Sequence, residues 1–406
     1  MKVLYISNGL THYYNRVLSR LNREPGLELT VVSPANPSAY IGQGVHLTRA
    51  GADFPVIELP ETRRFWMYST FSGLARVLMR TKPDVVIVIE SYLWTFLLDL
   101  PTIVAMKRLG ARLILKTIPF RLLPFQDAER QIRDSADGFS RLPPAVNRLL
   151  HASGIAKGIK LLRLAMHKRA LSRPDAHVNY VEAKALWATY GVNSEKIFVT
   201  GNSPDTDLLF SVKESLLNAA PLLPPNPRRL LHVGRLVEWK RVDMLIRVFA
   251  RLRPRYPDME LVIVGDGPEE PGLKKLADER GLGTSVRFVG GVYDPRLLAQ
   301  YYLAAGVYVL AGMGGLSINE AMCFGLPVLC SICDGTEKVL VREGINGRFF
   351  KDGDEEDFVL KLSWFLEHPE LMREMGRKSE AIIRDEVNIH TVIRGYMDAL
   401  DYVRRK

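Results

Sequence analysis

Residues 230–264, LLHVGRLVEWKRVDMLIRVFARLRPRYPDMELVIV, hold the pattern that decides the fold of this chain. Two short apolar runs, 230–233 and 260–264, flank a segment in which apolar residues recur at helical spacing from about 241 to 253. Unbroken apolar strands that alternate with helices are typical of a parallel sheet that is covered on both faces. The stretch therefore predicts one strand-helix-strand unit of a doubly wound α/β domain.

The same alternation extends in both directions from this unit. It predicts further strands at 3–7, 28–32, 85–89, 112–115 and 176–180 on one side, and at 286–289, 307–310 and 327–330 on the other. The Pro-rich stretch 221–227, PLLPPNP, separates the two groups, so we expect two doubly wound domains that face each other. Ligands of such domains bind at the carboxyl ends of the strands, which places the predicted site in the cleft between them.

The composition is that of a globular protein with more than one domain. Of the 406 residues, 47% are hydrophobic and 25% are charged, which excludes a mainly disordered chain, a collagen-like fibre and a multi-span membrane protein. Three cysteines, with one solitary CxxC at Cys330 and Cys333, are too few for a disulfide framework or a four-ligand zinc site. The opening residues, MKVLYISNGL, contain an apolar run that is too short for the core of a signal peptide, so we expect a cytoplasmic protein.

Positive charge is concentrated in one segment of the first predicted domain. The formal net charge is +10, and residues 121–173 hold eleven Lys and Arg against four Asp and Glu. Within 145–173, the apolar residues Leu149, Leu150, Ile155, Ile159, Leu162 and Met166 recur at roughly helical spacing among the basic residues Lys157, Lys160, Arg163, Lys168 and Arg169. A basic amphipathic helix suits an anionic membrane surface, and an ordinary helix that packs its apolar face inward is the alternative. No nucleic-acid-binding module accompanies the charge, so a nucleic acid partner is not expected.

Residues 232–246, HVGRLVEWKRVDMLI, place two cations beside the end of a strand. Gly234 permits a tight turn after the strand, and Arg235 and Lys240 stand in the loop before the next helix. A cation pair at such a junction suits a phosphate or a diphosphate, to which the helix N–H groups add their field. A solvated loop with surface charges is the alternative interpretation.

Residues 311–329, AGMGGLSINEAMCFGLPVL, form a glycine-rich turn that leads into a helix. Gly312, Gly314 and Gly315 follow a predicted strand, the helix begins near Ser317, and Glu320 is expected in its first turn. The free N–H groups of such a turn suit a phosphate, and a carboxylate there can bind sugar hydroxyls. A simple glycine turn with an acid at the helix dipole is the alternative.

Taken in order, these motifs resemble the family 4 glycosyltransferases, which have the GT-B fold. The resemblance is densest over 232–347 and rests on GRLVEWKRVDMLI, IVGDGPEEPGLKKLA, VRFVGGV, LSINEAMCFGLPVL and EGINGRFF, while GNSPDTDLLF (201–210) is similar to the interdomain segment. It implies an N-terminal Rossmann-like acceptor domain (1–205), a C-terminal nucleotide-sugar domain (206–385), and a last helix at about 386–406 that packs back on the first. It also implies a retaining transferase that needs neither a metal nor a cofactor.

The resemblance assigns roles to individual residues. Arg235 and Lys240 match the pair on the donor diphosphate, and Glu320 matches the second Glu of the E-x7-E motif, which binds the ribose hydroxyls. The other donor-binding positions that it implies are Asn8 and Gly9 in the closing N-domain loop, Gly234, Val292 at the base, and Gly314, Gly315, Leu316 and Ser317 near the sugar and the diphosphate.

The sequence departs from the family pattern at two places. Gly312 stands where the first Glu of E-x7-E, which contacts the donor sugar, is expected. Glu90 follows the predicted strand 85–89 where many relatives carry a His, and it is expected to stabilise an oxocarbenium ion, to contact the acceptor, or only to cap the next helix. His12, in the first loop, is a candidate acceptor contact, with an ordinary surface histidine as the alternative.

These expectations combine into one function and two alternatives. The function is transfer of a sugar from a UDP-linked donor to a polyprenyl-diphosphate-linked glycan or a surface-polysaccharide intermediate, by an enzyme peripheral to the inner face of the plasma membrane. One alternative is a transferase with a small soluble acceptor, for which the basic segment only packs. The other is a non-catalytic sugar-nucleotide-binding subunit, which Gly312 favours.

Overall fold

The protein is seen in a computed structural model that describes residues 1–38, 45–64, 68–118, 122–134, 155–333 and 335–406. The strands are β1 (Lys2–Ile6), β2 (Glu28–Pro34), β3 (Val56–Leu59), β4 (Glu61–Arg64), β5 (Tyr68–Phe71), β6 (Val85–Ile89), β7 (Arg112–Thr117), β8 (Ala176–Asn179), β9 (Ile197–Val199), β10 (Arg229–Val233), β11 (Glu260–Val264), β12 (Val286–Gly290), β13 (Val307–Leu310), β14 (Val328–Ser331) and β15 (Gly347–Phe350). The helices are α1 (His12–Asn22), α2 (Leu74–Thr81), α3 (Thr95–Leu98), α4 (Leu100–Leu109), α5 (Phe125–Asp134), α6 (Ile155–Leu171), α7 (Lys184–Thr189), α8 (Thr206–Ser215), α9 (Val242–Leu252), α10 (Glu270–Glu279), α11 (Pro295–Ala304), α12 (Leu316–Cys323), α13 (Glu337–Leu340), α14 (Glu355–Glu367), α15 (Pro369–Asp385) and α16 (Ile389–Arg404).

Two parallel sheets organise the chain, which confirms the predicted α/β fold. Over the described residues, the N-terminal sheet has the strand order β3-β2-β1-β6-β7-β8-β9 and the C-terminal sheet the order β12-β11-β10-β13-β14-β15. The strands are buried on both faces, because runs such as VVIVI in β6 are apolar throughout and helices cover both sides. In each sheet the order reverses beside the first strand, and this switch point opens a crevice at the carboxyl ends of the strands.

The last helix, α16, packs on the N-terminal sheet. Asn388 ends the preceding segment and begins α16 with a capping box, in which its side chain accepts the N–H of Thr391 and the Thr391 hydroxyl accepts the N–H of Asn388. Val392, Tyr396 and Leu400 then join the hydrophobic core formed by β1, β2 and α1. The chain therefore passes from the C-terminal domain back to the N-terminal one after residue 385.

An ion-pair cluster joins the two domains near the point where the chain first passes from the N-terminal domain to the C-terminal one. Arg20 on α1 contacts Asp205 at 3.2 Å and Asp207 at 2.6 Å, and His390 of α16 lies 3.0 Å from Asp207. Asp205 also begins α8 by accepting the N–H of Leu208. The cluster fixes α1 against the start of the C-terminal domain, so that α1 forms one wall of the interdomain cleft.

Candidate functional site

The predicted cation pair lies at the end of β10, against the glycine-rich loop after β13. Lys240 is only 6% exposed, and its ammonium donates to the carbonyls of Met313 at 2.7 Å and Gly314 at 2.9 Å. Arg235 is half-buried, with its guanidinium 5.8 Å from the centre of the Trp239 ring. The structure therefore brings the motifs at 232–246 and 311–329 into contact.

Gly312 is required by the close approach of the turn that carries Lys240. The amide of Met313 donates to the carbonyl oxygen of Trp239 at 3.0 Å. A Cβ atom at position 312 would lie 2.2 Å from the same oxygen, far inside van der Waals contact. A glutamate at this position is therefore incompatible with the observed placement of Lys240.

Helix α12 begins one residue earlier than predicted, which changes the position of Glu320. The helix starts at Leu316, followed by Ser317, whose oxygen accepts a hydrogen bond from the buried Tyr308 hydroxyl at 2.6 Å. Glu320 thus lies in the second turn, so the prediction of a first-turn carboxylate was wrong. The reason is that the chain turns at Gly315, and Leu316 already has helical hydrogen bonding.

Glu320 is a half-buried carboxylate with an altered acidity. Burial raises its pKa to about 7, and this effect is opposed by a hydrogen bond from the Tyr302 hydroxyl at 2.9 Å and by the charge of Arg16. Its protonation therefore changes close to neutral pH. Tyr302 and Arg16 carried no signal in the sequence, because both stand within ordinary helical patterns.

A cavity between the domains brings Glu320 together with two other predicted residues. It is lined from the N-terminal domain by His12 and Arg16, and from the C-terminal domain by Val292, Tyr293 and Glu320. These residues come from α1, from the segment after β12 and from α12. The cavity therefore joins the positions predicted for base and ribose, and His12 lies with them.

The Tyr293 ring, which lines this cavity, contacts two histidines of the N-terminal domain. The Tyr293 ring stacks on His46 at 4.4 Å between centroids and contacts His12 edge-on at 5.7 Å, so it bridges the domains. Burial lowers the pKa of His12, and the charges of Arg16 and His46 lower it further. His12 is thus neutral near pH 7, and it is a wall of the cleft rather than an isolated surface residue.

The first loop and Glu90 lie at the carboxyl edge of the N-terminal sheet. Asn8 and Gly9 follow β1, where the N–H of Gly9 donates to the Ser7 hydroxyl at 3.1 Å. Glu90 follows β6 and begins a short 3-10 turn without capping it through its side chain, which removes the capping alternative. Its carboxylate instead lies 3.4 Å from Nε2 of His167 on α6.

Helix α6 presents an apolar strip to solvent. Ile159, Leu162 and Met166 are 39%, 61% and 37% exposed, whereas Ala170 and Leu171 are buried against the domain core. Among the predicted basic residues, Lys157 donates to the Arg133 carbonyl at 2.6 Å, and the Lys168 ammonium lies 4.1 Å from the centre of the Phe125 ring. Arg163 and Arg169 are exposed, and Lys160 is half-buried. The part of the predicted segment at 145–154, with Leu149 and Leu150, lies outside the described residues.

In the part of the chain that the structure describes, no group of three or more His, Cys, Asp and Glu side chains could hold a metal ion. Over the same residues, every helix is too short or too polar to cross a bilayer.

The C-terminal domain matches a known family. Residues 215–381 match the family model described as Glycosyl transferases group 1. An uncharacterized glycosyltransferase of Haemophilus influenzae is 31% identical over 245 residues, which cover 58% of this chain and 64% of that protein. The alpha-monoglucosyldiacylglycerol synthase of Acholeplasma laidlawii is 27% identical over 180 residues, covering 43% and 44%. The chain thus spans less than two thirds of the length of these relatives.

Solved structures are similar over the whole chain. The complex of Anabaena HepE with UDP has a TM-score of 0.65 at 16% identity and covers 99% of this chain and 100% of its own. A glycosyltransferase from Rickettsia africae has a TM-score of 0.67 at 13% identity, covering 100% and 99%. At such identities the likeness concerns the fold alone, which is that of two facing α/β domains with parallel sheets.

Proposed function

We propose that this protein is a glycosyltransferase that moves a sugar from a nucleotide-sugar donor to a hydroxyl of its acceptor. One observation carries the proposal: the buried Lys240 meets the glycine loop 312–315 beside Arg235, at the switch point of the C-terminal sheet. Two fixed cations there would stabilise the charge that develops on a leaving nucleoside diphosphate. The family match of the same domain supports this assignment.

We infer a UDP-linked donor that lies across the cleft. Its base would contact the backbone at Val292, and its ribose hydroxyls would bind Glu320. Its diphosphate would bind Arg235 and Lys240 together with the N–H groups at Leu316. The Asn8–Gly9 loop would close over the phosphates from the other domain. The complexes of the structurally similar HepE with UDP and with UDP-glucose support this choice of base.

The proposed reaction retains the anomeric configuration and needs no metal ion. The acceptor oxygen forms its bond to the anomeric carbon on the face from which the diphosphate departs, and the broken bond leaves its electron pair on the diphosphate. The acceptor proton passes to the departing phosphate oxygen. Arg235 and Lys240 supply the positive charge that a metal provides in other transferases, and Glu90 would face the developing oxocarbenium ion.

A donor screen tests the transferase assignment. Purified protein with EDTA is offered UDP-, GDP- and ADP-sugars, while release of nucleoside diphosphate and thermal shift are measured together. We expect release and stabilisation with a UDP-sugar, both lost in Arg235→Ala and Lys240→Ala and kept in the control Lys275→Ala, whose side chain is 78% exposed on α10. A shift without release, even with acceptor present, would instead support a binding subunit, and the absence of both would refute the proposal.

We further propose that the acceptor is lipid-linked and that α6 lies on an anionic membrane surface. The exposed strip Ile159, Leu162 and Met166 supports this, because the inward-packing alternative requires these side chains to be covered. Arg163 and Arg169 flank the strip and would meet lipid phosphates. The pair of Glu90 with His167 links the same helix to the carboxyl edge of the sheet, where an acceptor would enter.

Vesicle co-sedimentation tests the membrane surface. We expect wild type to bind vesicles with anionic lipid, and Leu162→Asp with Met166→Asp to abolish binding while donor-dependent release persists. Arg163→Gln with Arg169→Gln should weaken binding to anionic vesicles in a salt-dependent manner. The control Lys275→Gln with Arg373→Gln removes two exposed charges from the other domain. Equal binding by all variants would refute α6 as the membrane surface, and no binding by wild type would favour a soluble acceptor.

A further inference from the structure

A buried carboxylate that the donor-site motifs do not include contacts the glycine loop. Glu337 has no solvent exposure, its Oε1 accepts the N–H of Gly314 at 3.0 Å, and its Oε2 accepts the N–H of Gly335 at 3.0 Å. A carboxylate removed from water is tolerated only where its oxygens are hydrogen-bonded. The two amide groups are therefore held firmly, since releasing either would leave part of a buried charge unsatisfied.

The peptide unit between Met313 and Gly314 is contacted by a charged group at each end. Its N–H donates to Glu337, and its carbonyl accepts from the Lys240 ammonium at 2.7 Å. Both hydrogen bonds are charge-assisted, and each polarises the peptide in the direction that strengthens the other. Rotation of this peptide would break both, so the carboxylate determines where the carbonyl that holds Lys240 points.

Gly314 allows the carboxylate to come this close. A Cβ atom at position 314 would lie 2.9 Å from Oε1 of Glu337 and 3.3 Å from the Thr336 hydroxyl oxygen. A side chain at 314 would therefore push the carboxylate away from the loop. The glycine that the sequence indicated as a phosphate contact also has this second, steric role.

We propose that Glu337 is a positioning residue for the donor diphosphate. By fixing the Met313–Gly314 peptide, it holds the Lys240 ammonium where the diphosphate binds, without touching the donor itself. The inference rests on the proposed function, in which Lys240 binds that diphosphate. Glu337 is thus the carboxylate that holds the donor loop in place. Position 312 has no room for a carboxylate in this protein.

The test combines UDP titration calorimetry with mass-spectrometric mapping of lysine acetylation by acetic anhydride. Glu337→Gln keeps the side-chain volume but offers only one acceptor atom, so one of the two amide bonds is lost. We expect UDP affinity to fall about tenfold or more, as for loss of a charge-assisted hydrogen bond, and Lys240 to acetylate several-fold faster. The control Glu343→Gln, whose carboxylate accepts the N–H of Phe349 at 2.6 Å in the same domain, should change neither.

A double-mutant cycle separates positioning from a general packing defect. In a Lys240→Met background, Glu337→Gln should have little further effect on UDP affinity, whereas an unrelated defect would lower the affinity equally in both backgrounds. If Glu337→Gln unfolds, Gly314→Ala displaces the same carboxylate and should give the same pattern. Wild-type affinity together with unchanged Lys240 acetylation would overturn the inference. If wild type binds no UDP, the proposed donor fails, and the acetylation result alone decides the role of Glu337.

Discussion

Each domain buries a lysine near the carboxyl edge of its sheet, and the two environments differ in kind. Lys240 is held by the carbonyl oxygens of Met313 and Gly314, which direct lone pairs at the ammonium. Lys116, 7% exposed on β7, donates to the Tyr14 hydroxyl and lies 3.8 Å from the centre of the Tyr14 ring and 4.9 Å from that of Tyr180. One lysine has backbone dipoles as partners, and the other has phenol rings.

Under the proposed function, this difference distinguishes a lysine that binds the donor diphosphate from one with a structural role. Carbonyl groups stabilise an ammonium at a fixed point, where it can also meet an anion. Aromatic rings offer only a weak quadrupole, so burial lowers the pKa of Lys116 well below its usual value. The Tyr14 hydroxyl also contacts the hydroxyls of Tyr5 at 3.0 Å and Tyr396 at 2.7 Å, which ties Lys116 to the docking of α16.

The largest expected effect comes from removing each lysine in turn. Lys240→Met should lower nucleoside diphosphate release about 100-fold or more, the usual cost of one preorganised group that stabilises a leaving charge. Lys116→Met should leave release within about twofold, since its ammonium faces tyrosines. Initial rates at saturating donor measure both. A similar loss of nucleoside diphosphate release in both variants would contradict the different roles of the two lysines.

A smaller loss should follow from disturbing the Lys240 turn without touching the lysine. Gly312→Ala puts a Cβ 2.2 Å from the Trp239 carbonyl oxygen, so the turn must shift, and we expect UDP affinity to drop about tenfold. The matched control is Gly272→Ala on α10, where a Cβ meets no atom within 4 Å. Calorimetric titration compares the two, and unchanged affinity in Gly312→Ala would show that the turn tolerates displacement.

Glu320 is a half-buried acid in the same domain as Lys240, and it gives the proposed donor site a pH dependence. Its pKa of about 7 means that the carboxylate is lost as pH falls below 7, and ribose binding should weaken in the same range. We expect UDP affinity to fall several-fold between pH 8 and pH 6 in wild type, and to be lower but flat with pH in Glu320→Gln. A pH dependence that persists in the variant would point to another group.

The smallest effect concerns stability and Lys116. Because its folded pKa lies below the unfolded value of about 10.4, the unfolded chain binds more protons between these two values, and unfolding free energy should rise with pH there. The slope for one proton is at most about 1.4 kcal/mol per pH unit. Urea unfolding from pH 7 to 9.5, below the tyrosine range, should show a rise in wild type that is smaller in Lys116→Met. Parallel curves would mean that Lys116 titrates normally.

The sequence patterns predicted the C-terminal domain more fully than the N-terminal one. The strands β10, β11 and β13 are mostly apolar runs next to turns or loops that contain glycine, so local chemistry indicates that they are strands. By contrast, β4 reads ETRR and β9 has three residues, and such short or charged segments form strands only because a neighbour pairs with them. Local sequence does not contain that information.

The site shows the same division. Arg235, Lys240 and Glu320 follow strand ends at fixed short spacings, which is why their motifs could be recognised. Glu337 contacts an amide 23 residues away, and nothing in its own surroundings marks it as part of the loop. The aromatic bridge of Tyr293 with His46 joins segments almost 250 residues apart, and contacts of this kind are determined by the way the two domains pack.

The return of α16 to the N-terminal domain has a mechanical consequence. The chain crosses between the domains twice, and the two crossings lie side by side, since the N–H of Ile389 donates to the Thr206 hydroxyl at 3.1 Å and the Val387 carbonyl accepts from Ser203 at 3.4 Å. Two adjacent crossings allow the domains to rotate about one common axis, and they resist a twist of one domain against the other. We therefore expect any opening of the cleft to follow a single rotation about this pair of crossings.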